Sequence, residues 1–174
     1  KYLRDDEIHM ITDTGGMIGL RTGHERTLAN IRPPLAQPLV ANTCQGSTRS
    51  FAQSLTYAVD KGLNVGFGAD LNGFIAQMKG LNGSYTQPNQ NCYGDYLQLA
   101  NAHGINDFHT KGFGHVGLFP EFIADLKRVG VTPYYMDRLE KTSAETYLQI
   151  WERSLALAGG GATSNLALSA TATA

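Results

Sequence analysis

The run from Leu63 to Phe74, LNVGFGADLNGF, constrains this chain more than any other stretch. Its apolar and glycine residues from Asn64 to Ala69 do not alternate with polar ones. That pattern reads as a strand covered on both faces, as in a parallel sheet. The strand stops at a carboxylate, Asp70, followed at once by the turn pair Asn72-Gly73. A second short apolar segment, GMIGL (Gly16 to Leu20), reads as another strand of the same kind.

Amphipathic helices are expected around these strands. Asp5 and Asp6 place acids at a helix start, Ile8 and Ile11 give it an apolar side, and Gly15-Gly16 stops it. Ser47 can cap a second helix with Phe51, Leu55, Ala58 and Val59 on one face and Gly62 at its end. Pro120 suits the first turn of a third, lined by Phe122, Leu126 and Val129 and ended by Gly130. Thr142 and Glu145 form a capping-box pattern that predicts the start of a last helix, with Tyr147, Leu148, Trp151 and Leu155 on its apolar side. The spacing of Tyr147 and Trp151 assigns both to the core.

Between these elements Pro33, Pro34 and Pro38 exclude regular structure from the polar stretch Arg21 to Gly46. A Gly-, Asn-, Gln- and Tyr-rich stretch from Phe74 to Leu118 shows little periodicity beyond a short helix near Tyr96 to Ala102. Loops of that length in a compact domain are functional or disordered. Buried strands alternating with amphipathic helices predict an α/β fold with parallel strands. Residues 1–157 are expected to form the folded part, and the small-residue stretch 158–174 a flexible tail.

The 174 residues suffice for one domain with a real core. Formal net charge is −1 and the Lys and Arg residues are scattered, which argues against nucleic-acid binding. No apolar run approaches a membrane-spanning length. The opening KYLRDDEIHM has neither an initiator Met nor a signal-peptide pattern and reads as a chain that begins in the middle of something. Cys44 and Cys92 are open to two readings, a bridge that would favour an oxidising compartment or two unpaired thiols. Asn82, in NGS, fits either a glycosylation acceptor or an Asn-Gly turn.

Asp70 is the residue with most chemical promise. Ligands of α/β folds collect at the carboxyl ends of strands. A carboxylate there can coordinate a cation or take a proton from water activated by a metal. Equally, Asp70 can begin an Asp-x-Asn-Gly turn by bonding its own backbone. A calcium loop is disfavoured, since the further acidic ligands are missing after Gly73.

Four segments taken in order, DDEIHMITDTGGMIGL, GSTRSFAQSLTYAVDKGLNVGFGADLNG, GHVGLFPEFIADLKRVGV and AETYLQIWER, resemble the C-terminal part of the renal (membrane) dipeptidase family of the amidohydrolase superfamily. The family's Gly-Ser-Asp-Phe-Asp-Gly on its eighth barrel strand has the shape of Gly68 to Gly73, with Ala69 in place of Ser and Asn72 in place of the second acid. His115 stands where many dipeptidases have an acidic residue. The resemblance implies the last two strand-helix units plus terminal helices of a (β/α)8 TIM barrel, with GMIGL as strand seven and NVGFGAD as strand eight. It implies hydrolysis of an amide or peptide-like bond by metal-activated water, with Asp70 as catalytic acid-base residue and metal ligand. The cofactor would be a divalent metal, zinc first, with most ligands outside this chain. The implied partners are a small peptide-like substrate and the remaining N-terminal barrel segment, with room for a homo-oligomer. The implied location is periplasmic or extracellular. A barrel that has lost its metals and serves as a binding or structural protein is the alternative, and Ala69 and Asn72 point that way.

Three further residues are candidates for substrate binding. Arg21, directly after strand seven, could clamp a carboxylate or pair structurally with Glu25 or Asp70. Asn72 lies in the turn after Asp70. His115, beyond Gly112 and Gly114, could face substrate or pin its loop to the start of the third helix. His103, Asp107 and His109 match no metal-site spacing and are expected in a solvated loop. Ser47 and Ser50 lack a visible His-Asp partnership, and Cys44 lacks a cysteine-protease signature.

Overall fold

A computed structural model describes residues 3–24, 27, 45–69, 71, 73–79 and 107–157. Helix α1 spans Asp5–Asp13, strand β1 Met17–Arg21, helix α2 Thr48–Asp60 and strand β2 Asn64–Gly68. After these come a short helix α3 (Asp107–Lys111), a 3-10 turn (Val116–Leu118), and α4 (Phe119–Arg128). A last helical stretch comprises α5 (Pro133–Asp137), a π-helical turn (Arg138–Thr142) and α6 (Ser143–Leu157).

The strands pair in parallel, Met17 opposite Asn64 through Arg21 opposite Gly68. The non-alternating look of β2 conceals an alternation of size. Val65 and Phe67 point one way, while Asn64, Gly66 and Gly68 occupy the other face, where β1 presents Met17, Gly19 and Arg21. On that second face the backbones approach closely. A Cβ on Gly19 would come 3.2 Å from the Gly68 Cα, and one on Gly68 would lie 3.1 Å from the Gly19 carbonyl carbon. A side chain at either position would push the strand ends apart.

Behind the first face sits the core. Phe67 stacks on Phe51 of α2 with ring centroids 5.9 Å apart, and meets Phe119 edge-on at 4.3 Å and Phe122 at 5.8 Å. Phe108 and Phe113 join the same cluster through Phe122. Six of the chain's seven phenylalanines thus form one connected set, and the seventh, Phe74, is 95% exposed. Edge-to-face aromatic pairs add about 0.5–1.5 kcal/mol each beyond the area they bury.

Helix α2 forms as its sequence predicts. The Ser47 hydroxyl accepts from the Ser50 amide at 3.2 Å, Phe51, Leu55, Ala58 and Val59 are buried, and Gly62 leaves in the left-handed region at φ 81°. Helix α4 begins with Pro120 in its first turn and buries Phe122 and Leu126. Three expectations are overturned. The final helix does not start at a Thr142 capping box, because Pro133 already provides a first helical residue, and Thr142 lies inside the continuous helical stretch. There the Ser143 hydroxyl donates back to the Leu139 carbonyl at 2.6 Å, within the helix. Tyr147 and Trp151 are not core, being 60% and 48% exposed. His109 is not in a solvated loop but on α3 and buried. The expected helix near Tyr96 to Ala102, both cysteines, Asn82 and the 158–174 tail lie outside the described residues.

Among the described residues no helix is long and apolar enough to cross a membrane.

Candidate functional site

Parallel pairing brings the carboxyl ends of β1 and β2 to one side, and the chain beyond each is tied to the other. Thr22, the first residue after β1, is fully buried. Its Oγ1 lies 3.1 Å from the Ala69 carbonyl oxygen and 2.7 Å from the Gln77 side-chain oxygen. Its own carbonyl accepts from the Met78 amide at 2.9 Å, and the His24 amide donates to the Ala76 carbonyl at 2.8 Å. Gly23 and Gln77 form an antiparallel bridge. The Phe113 amide then donates to the Met78 carbonyl at 2.8 Å, drawing in the segment that leads to α4.

A second polar knot secures α3. The His109 Nε2 donates to Asp125 Oδ1 on α4 at 2.7 Å, and the Thr48 hydroxyl of α2 donates to Asp125 Oδ2. All three side chains are buried, and the Arg128 guanidinium stands 3.9 Å from the same Oδ1. The order Thr–Asp–His puts the carboxylate in the middle. The arrangement is that of a carboxylate held by two donors. It satisfies a buried carboxylate on both oxygens, which a buried charge requires. The Glu121 carboxylate adds a bond from the Phe108 amide at 2.8 Å.

Of the four expected site residues, Arg21 ends β1 on the glycine-lined face, opposite Gly68, and is half-buried. His115 is exposed and heads the 3-10 turn; its side chain makes no capping bond, and only its carbonyl closes the turn by accepting from Leu118. It does not pin the loop through its ring. Asp70 and Asn72 lie outside the described residues, although their neighbours Ala69 and Leu71 are described. Among the described residues no three His, Cys, Asp or Glu side chains are grouped to hold a metal ion.

Sequence reasoning missed Thr22, Gln77, Asp125 and Phe74. Only Phe74 carried a local sign, an aromatic residue directly after the Asn72-Gly73 turn. A surface cavity of about 490 Å³ lies elsewhere, at the far end of α4 from Phe119, lined among others by Lys127, Val131, Met136 and Glu140.

No protein-family model, no curated protein and no solved structure matches this chain.

Proposed function

We propose that this chain is the C-terminal part of a metal-dependent hydrolase barrel that cleaves an amide or peptide-like bond, with Asp70 as its strand-end acid. The observation that carries the reading is the register of the two parallel strands. Arg21 and Gly68 are the last paired residues, so Asp70 follows two positions beyond the end of β2, at the side where α/β folds collect ligands. The resemblance of the Gly68 to Gly73 segment to a dipeptidase strand-eight motif supports the same assignment. The two strands among the described residues cannot close a barrel, so in this reading further strands and most metal ligands come from elsewhere in the complete protein.

Within this chain the resemblance implies Asp70 as the one metal ligand, and a lone carboxylate is too little to desolvate and hold a divalent ion. When bound by the complete barrel, such an ion supplies Lewis acidity and lowers the pKa of water. Asp70 would ligate it and accept the proton that the attacking water gives up. Arg21, at the last rung of the ladder, would hold a substrate carboxylate in a two-pronged contact. His115, exposed on the segment before α4, and Asn72, in the turn after Asp70, would contact the substrate from the rim.

The test is hydrolysis of dipeptide-like substrates by the complete protein. Asp70→Asn keeps the shape but removes the charge and the proton acceptor. Turnover is expected to fall about a hundredfold or more with the fold preserved, as loss of a general base does, and chelation is expected to abolish it. Unchanged activity per folded molecule in Asp70→Asn would return Asp70 to a turn-forming role. The second reading, a barrel that binds without catalysis, rests on Ala69 and Asn72 standing where the dipeptidase motif has Ser and a second acid. It predicts that the complete protein holds no stoichiometric metal and turns over no such substrate.

A further inference from the structure

We infer that Thr22 is a positioning residue that clamps the carboxyl ends of β1 and β2 together, and so fixes the backbone that carries Arg21 and the peptide unit leading into Asp70. The catalytic consequence rests on the hydrolase reading above, whereas the clamp does not.

The ladder between the strands ends at Arg21 and Gly68. One residue further on, a side chain takes over from the backbone. Thr22 Oγ1 reaches the Ala69 carbonyl at 3.1 Å, and that carbonyl belongs to the peptide unit leading into Asp70. On its other side Thr22 is bonded covalently to Arg21. A single buried hydroxyl therefore links the neighbour of Arg21 to the residue before Asp70.

The hydroxyl has one proton and two oxygen neighbours. With the Gln77 amide turned about its last torsion, its NH2 group donates to Oγ1 while the hydroxyl donates to Ala69, so the hydroxyl both donates and accepts. Gln77 is itself buried and bridged to Gly23, so its amide is held in place to do this. The β-branched Thr side chain is stiff about χ1, which keeps Oγ1 aimed at the end of β2. Through its carbonyl, Thr22 also holds Met78, and Met78 holds Phe113. The strand ends, the segment after β2 and the approach to α4 thus share one anchor.

Thr22→Val keeps the shape and deletes the hydroxyl, leaving the Ala69 carbonyl and the Gln77 amide without this partner. In the 174-residue chain, the His24 and Met78 amides are expected to exchange about tenfold faster in Thr22→Val, the factor that one lost hydrogen bond of ordinary strength carries. Amides within β2 should stay unchanged, and Thr22→Ser should restore most of the protection. In the complete protein Thr22→Val should lower kcat about tenfold, leave KM within about twofold and be rescued by Thr22→Ser, as expected when an acid is misplaced rather than a substrate lost. Unchanged exchange at His24 and Met78, or a uniform rise across both strands, overturns the clamp. Selective loosening with kcat intact overturns the positioning role. Selective loosening in a protein that hydrolyses no dipeptide-like substrate leaves the clamp standing and sinks the hydrolase reading instead.

Discussion

Helices α2 and α6 carry the same apolar spacing and meet opposite fates. In α2, Phe51, Leu55 and Val59 stand at i, i+4 and i+8 and are 0%, 0% and 8% exposed. In α6, Tyr147, Trp151 and Leu155 have identical spacing and are 60%, 48% and 52% exposed. A stripe at helical period states that one face of a helix favours cover. It does not state that the cover lies within the same stretch of chain. For α2 the cover is Phe67 of β2 and Phe122 of α4. For α6 nothing among the described residues shields those three side chains to that degree, although Arg153 on the same helix reaches the Gly15 carbonyl at 3.1 Å.

The contrast can be broken most decisively by two alanine substitutions. Phe122→Ala removes a fully buried ring that touches Phe51, Phe67, Phe108 and Phe113. It should cost about 3–5 kcal/mol in urea denaturation. Trp151→Ala should cost about 0.5 kcal/mol or less, as surface substitutions do. Equal losses would mean that Trp151 is covered in solution, and the two helices would then differ only in where their cover comes from.

Asp125→Ala sharpens the comparison from the polar side. Asp125 sits three residues after Phe122, and its removal takes from the buried His109 and Thr48 the carboxylate both bond to. A loss of about 3 kcal/mol is expected on the same denaturation curve. A loss below about 1 kcal/mol would show that the phenylalanine cluster alone holds α3 and α4 against α2.

The smallest effect concerns the junction between the two stripes. Tyr135 on α5 donates its hydroxyl to Asp60 Oδ1, at the end of α2, at 2.9 Å. Burial first, and then the bond to Asp60 and its negative charge, raise the phenol above its ordinary value of 10.0. The folded state therefore keeps this proton at pH values where the unfolded chain has released it. The contribution is fully present below pH 10.0 and is lost as the pH rises through the folded value. Tyr135→Phe should flatten that part of the stability profile above pH 10.0 and leave the rest unchanged. An identical slope in both proteins would remove Tyr135 from the account.

What was legible in the sequence follows from the range of each interaction. The ends of α2 could be read because Ser47, the apolar stripe and Gly62 act within a few residues of one another. The parallel strands could be read because large apolar residues and glycines fill them. The polar knots could not. Asp125 looks like one more acid on an amphipathic helix, and its partners are 16 and 77 positions away. Thr22 looks like any residue leaving a strand, since its partners are 47 and 55 positions distant. Thr142 and Glu145 gave a correct local pattern in the wrong place, because a proline nine residues upstream of Thr142 had already started the helix. The resemblance around Gly68 to Gly73 reaches one step further than local chemistry, to Asp70, and that step is the one the Asp70→Asn experiment examines.

The parallel pairing of β1 with β2 also has a consequence for how the molecule is assembled. Every rung of that ladder joins residues 47 positions apart, since Met17 pairs with Asn64, and the Thr22–Ala69 bond closes the same span. Helices α1 and α2 can begin within their own turns, but β1 has no ladder partner until β2 has been synthesised and the intervening loop has closed. Ile18 and Leu20 therefore wait uncovered while the crossover is made. The strand ends that carry Arg21 and lead to Asp70 are joined late in folding, and the nascent chain is most open to misassociation in that interval.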